Sequence, residues 1–136
     1  MVIRTASCCC GRLSIAVRGN CDTVNACSCL QCQKRTGSAV GLGAFFNKNQ
    51  IVSIDGTYRS FTRFSEEGRK VESNFCMNCG TTVFWYGDVR PDHVAVAVGC
   101  FADPVFTAPT RALWCQHKHY WFSFPARMLR FPKAAG

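Results

Sequence analysis

A mostly β fold is predicted by three features of this sequence. Val, Ile, Thr, Phe, Tyr and Trp come in short runs broken by Gly, Asn, Asp and Pro roughly every 8 to 12 residues, the pattern of short strands joined by turns. No stretch longer than about two turns carries a helical period. The cysteines gather at the breaks between the apolar runs, which places them on turns.

Taken in order, Arg12–Val17 alternates with period two and reads as a half-buried strand ending at Gly19-Asn20. Leu30–Gly37 is the one segment suited to a short helix. Ala39–Phe46 is apolar but broken by Gly41 and Gly43, which predicts a strand with a bulge or a close backbone approach. Ile51–Ile54 runs into Asp55-Gly56, a hairpin signal, and Tyr58–Phe64 is expected to return beside it. Val71–Phe75 is a strand delivering Cys76, and Thr82–Tyr86 is a strand leaving Cys79. His93–Val98 is the clearest buried strand. Eight to ten short strands are expected in all.

Length and composition bound the function. With 136 residues, 48% hydrophobic, there is apolar material for one core and too little chain for two domains, so residues 1–136 are read as one domain. No apolar run reaches the eighteen residues a membrane helix needs. Met1–Ser7 lacks the apolar segment of a signal peptide, and eleven cysteines is an odd number for a disulfide scaffold. A cytoplasmic protein using thiols for metal is the expectation. The formal charge of +8 raises the question of an anionic partner such as nucleic acid. Seven thiolates holding two Zn²⁺ reduce the net charge to about +5, and a nucleic-acid partner is not expected.

The cysteines form three clusters, Cys8-Cys9-Cys10, Cys27-x-Cys29-x-x-Cys32 and Cys76-x-x-Cys79, with Cys21, Cys100 and Cys115 apart. Gly11 follows the first cluster and Gly80 the third, and glycine there lets the turn wrap its amides around a metal-bound sulfur. Gln33 follows Cys32 instead. This asymmetry pairs Cys8, Cys10, Cys76 and Cys79 in a closed four-sulfur site, with Cys9 pointing away. Cys27, Cys29 and Cys32 are left with three sulfurs and an open fourth position. A closed zinc shell is structural; an open one admits water or substrate. A second structural zinc, completed by another cysteine or a histidine, is the alternative for the triplet.

The order and flanks of these clusters resemble the glutathione-dependent formaldehyde-activating enzyme family, whose domain is shared with centromere protein V. The resemblance rests on Ser7–Gly11, on Cys27-x-Cys29-x-x-Cys32-Gln33-Lys34-Arg35-Thr36-Gly37-Ser38, on Phe75-Cys76-x-x-Cys79-Gly80-Thr81, on Gly99-x-Phe101-Ala102-Asp103-Pro104 and on Arg130–Lys133. Ser28 departs from the family, which often carries histidine there. The resemblance implies a β-tent of antiparallel sheets stapled by one structural zinc at Cys8, Cys10, Cys76 and Cys79, with a catalytic zinc at Cys27, Cys29 and Cys32. It further implies a carbon–sulfur lyase or synthase acting on an adduct of glutathione, or another thiol, with a small aldehyde such as formaldehyde. A zinc-stabilised binding module without activity is the competing function.

An anionic thiol such as glutathione calls for cationic or hydroxyl partners near the triplet, and Lys34, Arg35 and Thr36 follow it directly. Arg63, Arg69 and Lys70 are weaker candidates. His117 and His119 share one face if their segment is extended and can then line a site; His93 reads as a core or turn residue.

Overall fold

In a computed structural model, which describes residues 1–134, eleven strands and one α-helix form two sheets. The smaller sheet has the order β1 (Ile3–Ser7), β2 (Ser14–Arg18), β5 (Ile51–Asp55). The larger runs β11 (Leu129–Arg130), β10 (Arg111–Leu113), β3 (Thr23–Cys27), β4 (Gly41–Asn47), β9 (His93–Ala97), β8 (Thr82–Gly87), β7 (Lys70–Cys76), β6 (Tyr58–Phe64). Pairing is antiparallel except that β10 runs parallel to both β3 and β11. The mostly β expectation is met. No helix among the described residues is long and apolar enough to cross a membrane. The expected domain, 1–136, ends two residues beyond the described ones.

Register gives the large sheet two unlike faces, because alternate residues of a strand point to opposite sides. One face carries Val24, Ala44, Val96 and Phe84 in cross-strand register. These pack against Ala6, Leu13, Ile15 and Val17, contributed by the small sheet and the loop before β2, in one buried core. The other face carries Asn25 and Cys27 of β3, Gly41, Gly43 and Phe45 of β4, Ala95 of β9 and Trp85 of β8. Among the described residues it meets no second sheet. The helix α1 (Leu30–Thr36) lies over it, and a Cβ on Gly41 would stand 2.7 Å from Arg35 Nη2 and 3.3 Å from Cys32 Cβ.

Gly43 makes room in the same way for Trp85, whose ring would meet an added Cβ at 2.8 Å. Both pairings of β4 run without a register shift. Of the two sequence expectations for these glycines, close approach is the one realised.

The structure corrects several sequence readings. β5 and β6 are not a hairpin: β5 pairs with β2 in the small sheet, while β6 is an edge of the large one. The Asp55-Gly56 turn instead carries the chain from one sheet to the other. Gly56 sits at φ 105° so close to the Arg12 carbonyl that an added Cβ would lie 1.8 Å from it. β1 and β3 escaped prediction because one has a single fully buried side chain, Ala6, and the other has Asn25 at its centre. The segment Cys8–Cys10 is a turn, as the placing of cysteines at the breaks expects, closed by Gly11 N–H donating to the Cys8 carbonyl at 3.0 Å.

Two glycine substitutions separate a backbone obstacle from a movable side chain. Gly56→Ala is expected to destabilise by about 1–3 kcal/mol or more, since neither its φ nor the Arg12 carbonyl can give way. Gly43→Ala is expected to cost less, because the Trp85 ring can shift. Thermal unfolding of the two variants measures the difference.

Candidate metal centres

Two groups of sulfurs converge. Cys8, Cys10, Cys76 and Cys79 have their Sγ atoms within 4.8 Å of one another, and so do Cys27, Cys29 and Cys32. Cys9 belongs to neither; its backbone N–H donates to Thr81 Oγ1 at 3.2 Å.

The four-sulfur group is built from two hairpin loops. One joins β1 to β2, the other β7 to β8, so the group ties the small sheet to the large one. Gly11 and Gly80 both take φ 79°, and the Leu13 and Asn78 amides donate to Cys8 Sγ and Cys76 Sγ at 3.2 and 3.3 Å. Cys8 and Cys10 sulfurs lie 3.6 Å apart, Cys10 and Cys76 sulfurs 3.7 Å. A tetrahedron with metal–sulfur bonds of about 2.3 Å has edges of about 3.8 Å. The geometry therefore fits a zinc-sized ion. Cys79 is drawn down to about 5, first by the Thr81 hydroxyl and then by the Thr81 and Cys10 amides, which prepares a thiolate for such an ion.

The triplet comes from one corner of the chain. β3 ends in Cys27, the fully buried Ser28 makes the bend, Cys29 caps α1 with its Sγ accepting from Cys32 N–H at 3.3 Å, and Cys32 lies in the helix, buried against Gly41. The Ser28 backbone is fixed by Leu113 and by the Gln33 amide, whose Nε2 also donates to the His117 carbonyl. The Ser28 hydroxyl is buried without a partner among the described residues. Hydrogen bonds from Cys27 and then Cys32, helped by Cys32 N–H and the Arg63 charge, hold Cys29 down to about 2. Cys27 is pushed far up in exchange, by the same shared bonds and by burial. Three thiols competing in this way for a shared negative charge are a donor set suited to a cation. Among the described residues no fourth His, Cys, Asp or Glu joins them at the same range.

Clefts open on both sides of the triplet. Cys29 faces one of about 190 Å³, shared with Gln31, Arg63, Glu66 and Trp114. Arg63 also lines an adjoining cleft of about 310 Å³ with Lys34, Arg35 and Phe61. Its Nη2 lies 3.8 Å from Cys32 Sγ, and its Nε is buried without a partner. Trp114 holds its place at φ 55°, strained for a non-glycine residue, and stacks on His117 with ring planes 6° apart.

The residues expected to meet a thiol substrate divide. Lys34 and Arg35 line the cleft beside Arg63, with Arg35 also stacked on Trp85 at 4.3 Å. The Thr36 hydroxyl donates to the Cys32 carbonyl at 2.9 Å, within the helix. His117 and His119 do not share a face of an extended segment, because residues 115–117 form a 3₁₀ turn. His117 bonds Glu66 at 2.7 Å, while His119 packs on Trp121 and lines a separate cleft with Leu30, Gln33 and Lys34 of the helix. His93 pairs with Asp22. Arg63, a weaker candidate in the sequence than Lys34 and Arg35, stands between both clefts, and Trp114, which the sequence did not single out, walls one of them.

The family model described as glutathione-dependent formaldehyde-activating enzyme matches residues 3–117. A crystal structure of a Rhodobacter sphaeroides protein aligns with a TM-score of 0.54 at 20% identity, over 71% of this chain and 85% of that one, a likeness of fold. No curated protein matches the chain.

Zinc-loaded protein is expected to contain two ions per chain by metal analysis. Cys76→Ser should release one of them and lower the unfolding temperature, since it opens the tie between the sheets. Cys29→Ser should release the other with a smaller loss of stability. Equal destabilisation by the two would show that the groups do not differ in this way.

Proposed function

This chain belongs to the glutathione-dependent formaldehyde-activating enzyme family, and from that premise we propose that it catalyses reversible carbon–sulfur bond formation between a thiol such as glutathione and a small aldehyde. The observation that carries the reading is the incomplete donor set: three sulfurs, no fourth protein ligand among the described residues, and an adjoining cleft. In this reading Cys8, Cys10, Cys76 and Cys79 hold a structural zinc, and Cys27, Cys29 and Cys32 hold the catalytic one. The 136 residues then work as a single zinc-stapled unit.

When bound at the triplet, zinc supplies positive charge that weakens a neighbouring thiol's hold on its proton. The chain does the rest. Lys34, Arg35 and Arg63 surround a cleft suited to the carboxylates of glutathione, with Arg63 bringing its guanidinium within reach of the triplet. Trp114 walls the cleft at Cys29 and limits water. Glu66, hydrogen-bonded through Oε1 to His117 Nε2, is the carboxylate on that cleft able to take the thiol proton and return it to the carbonyl oxygen. Thr36 serves the helix that presents the triplet. Much of the rate gain is proximity, two small reactants held at one corner.

Turnover of glutathione with formaldehyde, followed by exchange spectroscopy on zinc-loaded protein, is expected to fall to the spontaneous rate in Cys29→Ala. Undiminished turnover in that variant would overturn the reading. Arg63→Gln is expected to raise KM for glutathione roughly tenfold, the scale of one lost charge-assisted hydrogen bond.

A further inference from the structure

The face of the large sheet that carries Cys27 holds a second feature, unused in the chemistry above. Beside Cys27 lies a cleft of about 140 Å³ walled by Phe45, Trp85 and Trp114 and by two arginines, Arg90 from the loop after β8 and Arg111 from β10. Arg111 donates Nε to Asn25 Oδ1 at 3.1 Å, and no protein partner among the described residues takes its terminal nitrogens. Arg90 rests its guanidinium 5.4 Å from the centre of the Phe45 ring, and its Nη1 is buried without a partner. The third basic group on this wall, His93, is already engaged by Asp22.

No Asp or Glu lines the cleft among the described residues. Two guanidinium groups thus converge on an aromatic-walled space with nothing to balance them. Burial, and then the charge of Arg90, draws Arg111 below its ordinary value. Desolvated cations of one sign are costly unless an anion joins them. Arginine forks match a carboxylate in two-pronged geometry.

We propose that this cleft is a carboxylate subsite: Arg90 and Arg111 hold the carboxylate of a small 2-oxo acid, with its carbonyl group toward Cys27. The proposal rests on the carbon–sulfur reading and supplies it with a class of aldehyde. The volume holds roughly five water molecules at about 30 Å³ each, enough for a group the size of glyoxylate. The thiol has the wider clefts on the Cys29 side. In the reaction the thiol sulfur adds to the aldehyde carbon and the carbonyl π pair moves onto oxygen. The thiol proton ends on that oxygen, and nothing is oxidised or reduced. The product is a hemithioacetal bearing the acid.

Binding is read first, on zinc-loaded protein, by quenching of tryptophan fluorescence with glyoxylate, since Trp85 and Trp114 line the cleft. Saturable quenching is expected, weakened at least about tenfold in Arg90→Gln, with Arg90→Lys intermediate. Turnover is read next: the ratio of kcat/KM for glyoxylate over formaldehyde should fall at least about tenfold in Arg90→Gln. Cysteamine, a thiol without a carboxylate, separates the two possible sources of the anion. If the Arg90 effect persists with cysteamine and glyoxylate, the arginines serve the aldehyde, as proposed. If it vanishes with cysteamine, the carboxylate held is that of the thiol and the proposal is overturned. Equal quenching of wild type and Arg90→Gln also overturns it, leaving the carbon–sulfur reading to be judged by Cys29→Ala with formaldehyde. Arg90-dependent quenching alongside undiminished turnover in Cys29→Ala would keep the carboxylate subsite and discard the catalytic reading.

Discussion

Two absent side chains in β4 control the architecture of the site. A strand at the centre of a sheet ordinarily fills both of its faces, and β4 does so on the core side with Ala44 and Phe46. On the opposite face Gly41 and Gly43 leave the backbone bare. The helix α1 settles against the first and the Trp85 ring against the second. Close packing then propagates the consequence: Cys32 is pressed to the sheet, Arg35 is brought over Trp85, and the corner Cys27–Cys29 turns its sulfurs inward toward Cys32. A side chain at either glycine would lift the helix or the indole and separate these groups.

The two sulfur groups differ in what they join. Four sulfurs from two hairpin loops connect the small sheet to the large one, across a chain separation that only folding closes. Three sulfurs from a single strand-to-helix corner connect nothing remote and so can leave one position open. Both groups draw backbone amides onto sulfur, but among the described residues only the first brings four protein donors to one point. The closed group lies where stability is needed, between the sheets. The open one lies on a sheet face lined with clefts.

Charge follows the same division of faces. Five of the sixteen Lys and Arg residues line clefts around the triplet. Lys34, Arg35 and Arg63 meet on one side of the triplet, Arg90 and Arg111 on the other. Glu66 is the acid that lines a cleft at the triplet, held by His117 from the far end of the large sheet. That contact, with the reach of Arg63 to Cys32, shows the edge strand β6 curling back toward β10. A positively charged hollow around three thiols results, from residues spread over most of the chain.

The sequence by itself determined the strand-dominated fold, the short helix at Leu30, the three cysteine groups and the division between the two with following glycines and the one without. These depend on local periodicity, turn chemistry and spacing, all of which are written in neighbouring residues. It did not determine that β5 and β6 part into different sheets, because a turn signal such as Asp55-Gly56 specifies a reversal and not the strand that will pair. It ranked Arg63 only behind Lys34, Arg35 and Thr36, and it did not single out Trp114, Arg90 or Arg111, whose neighbours come from β3, β4, β8 and α1. Only the tertiary structure decided which basic residues face the sulfurs, because cross-strand register and the bare backbone of Gly41 and Gly43 bring them together over long sequence separations.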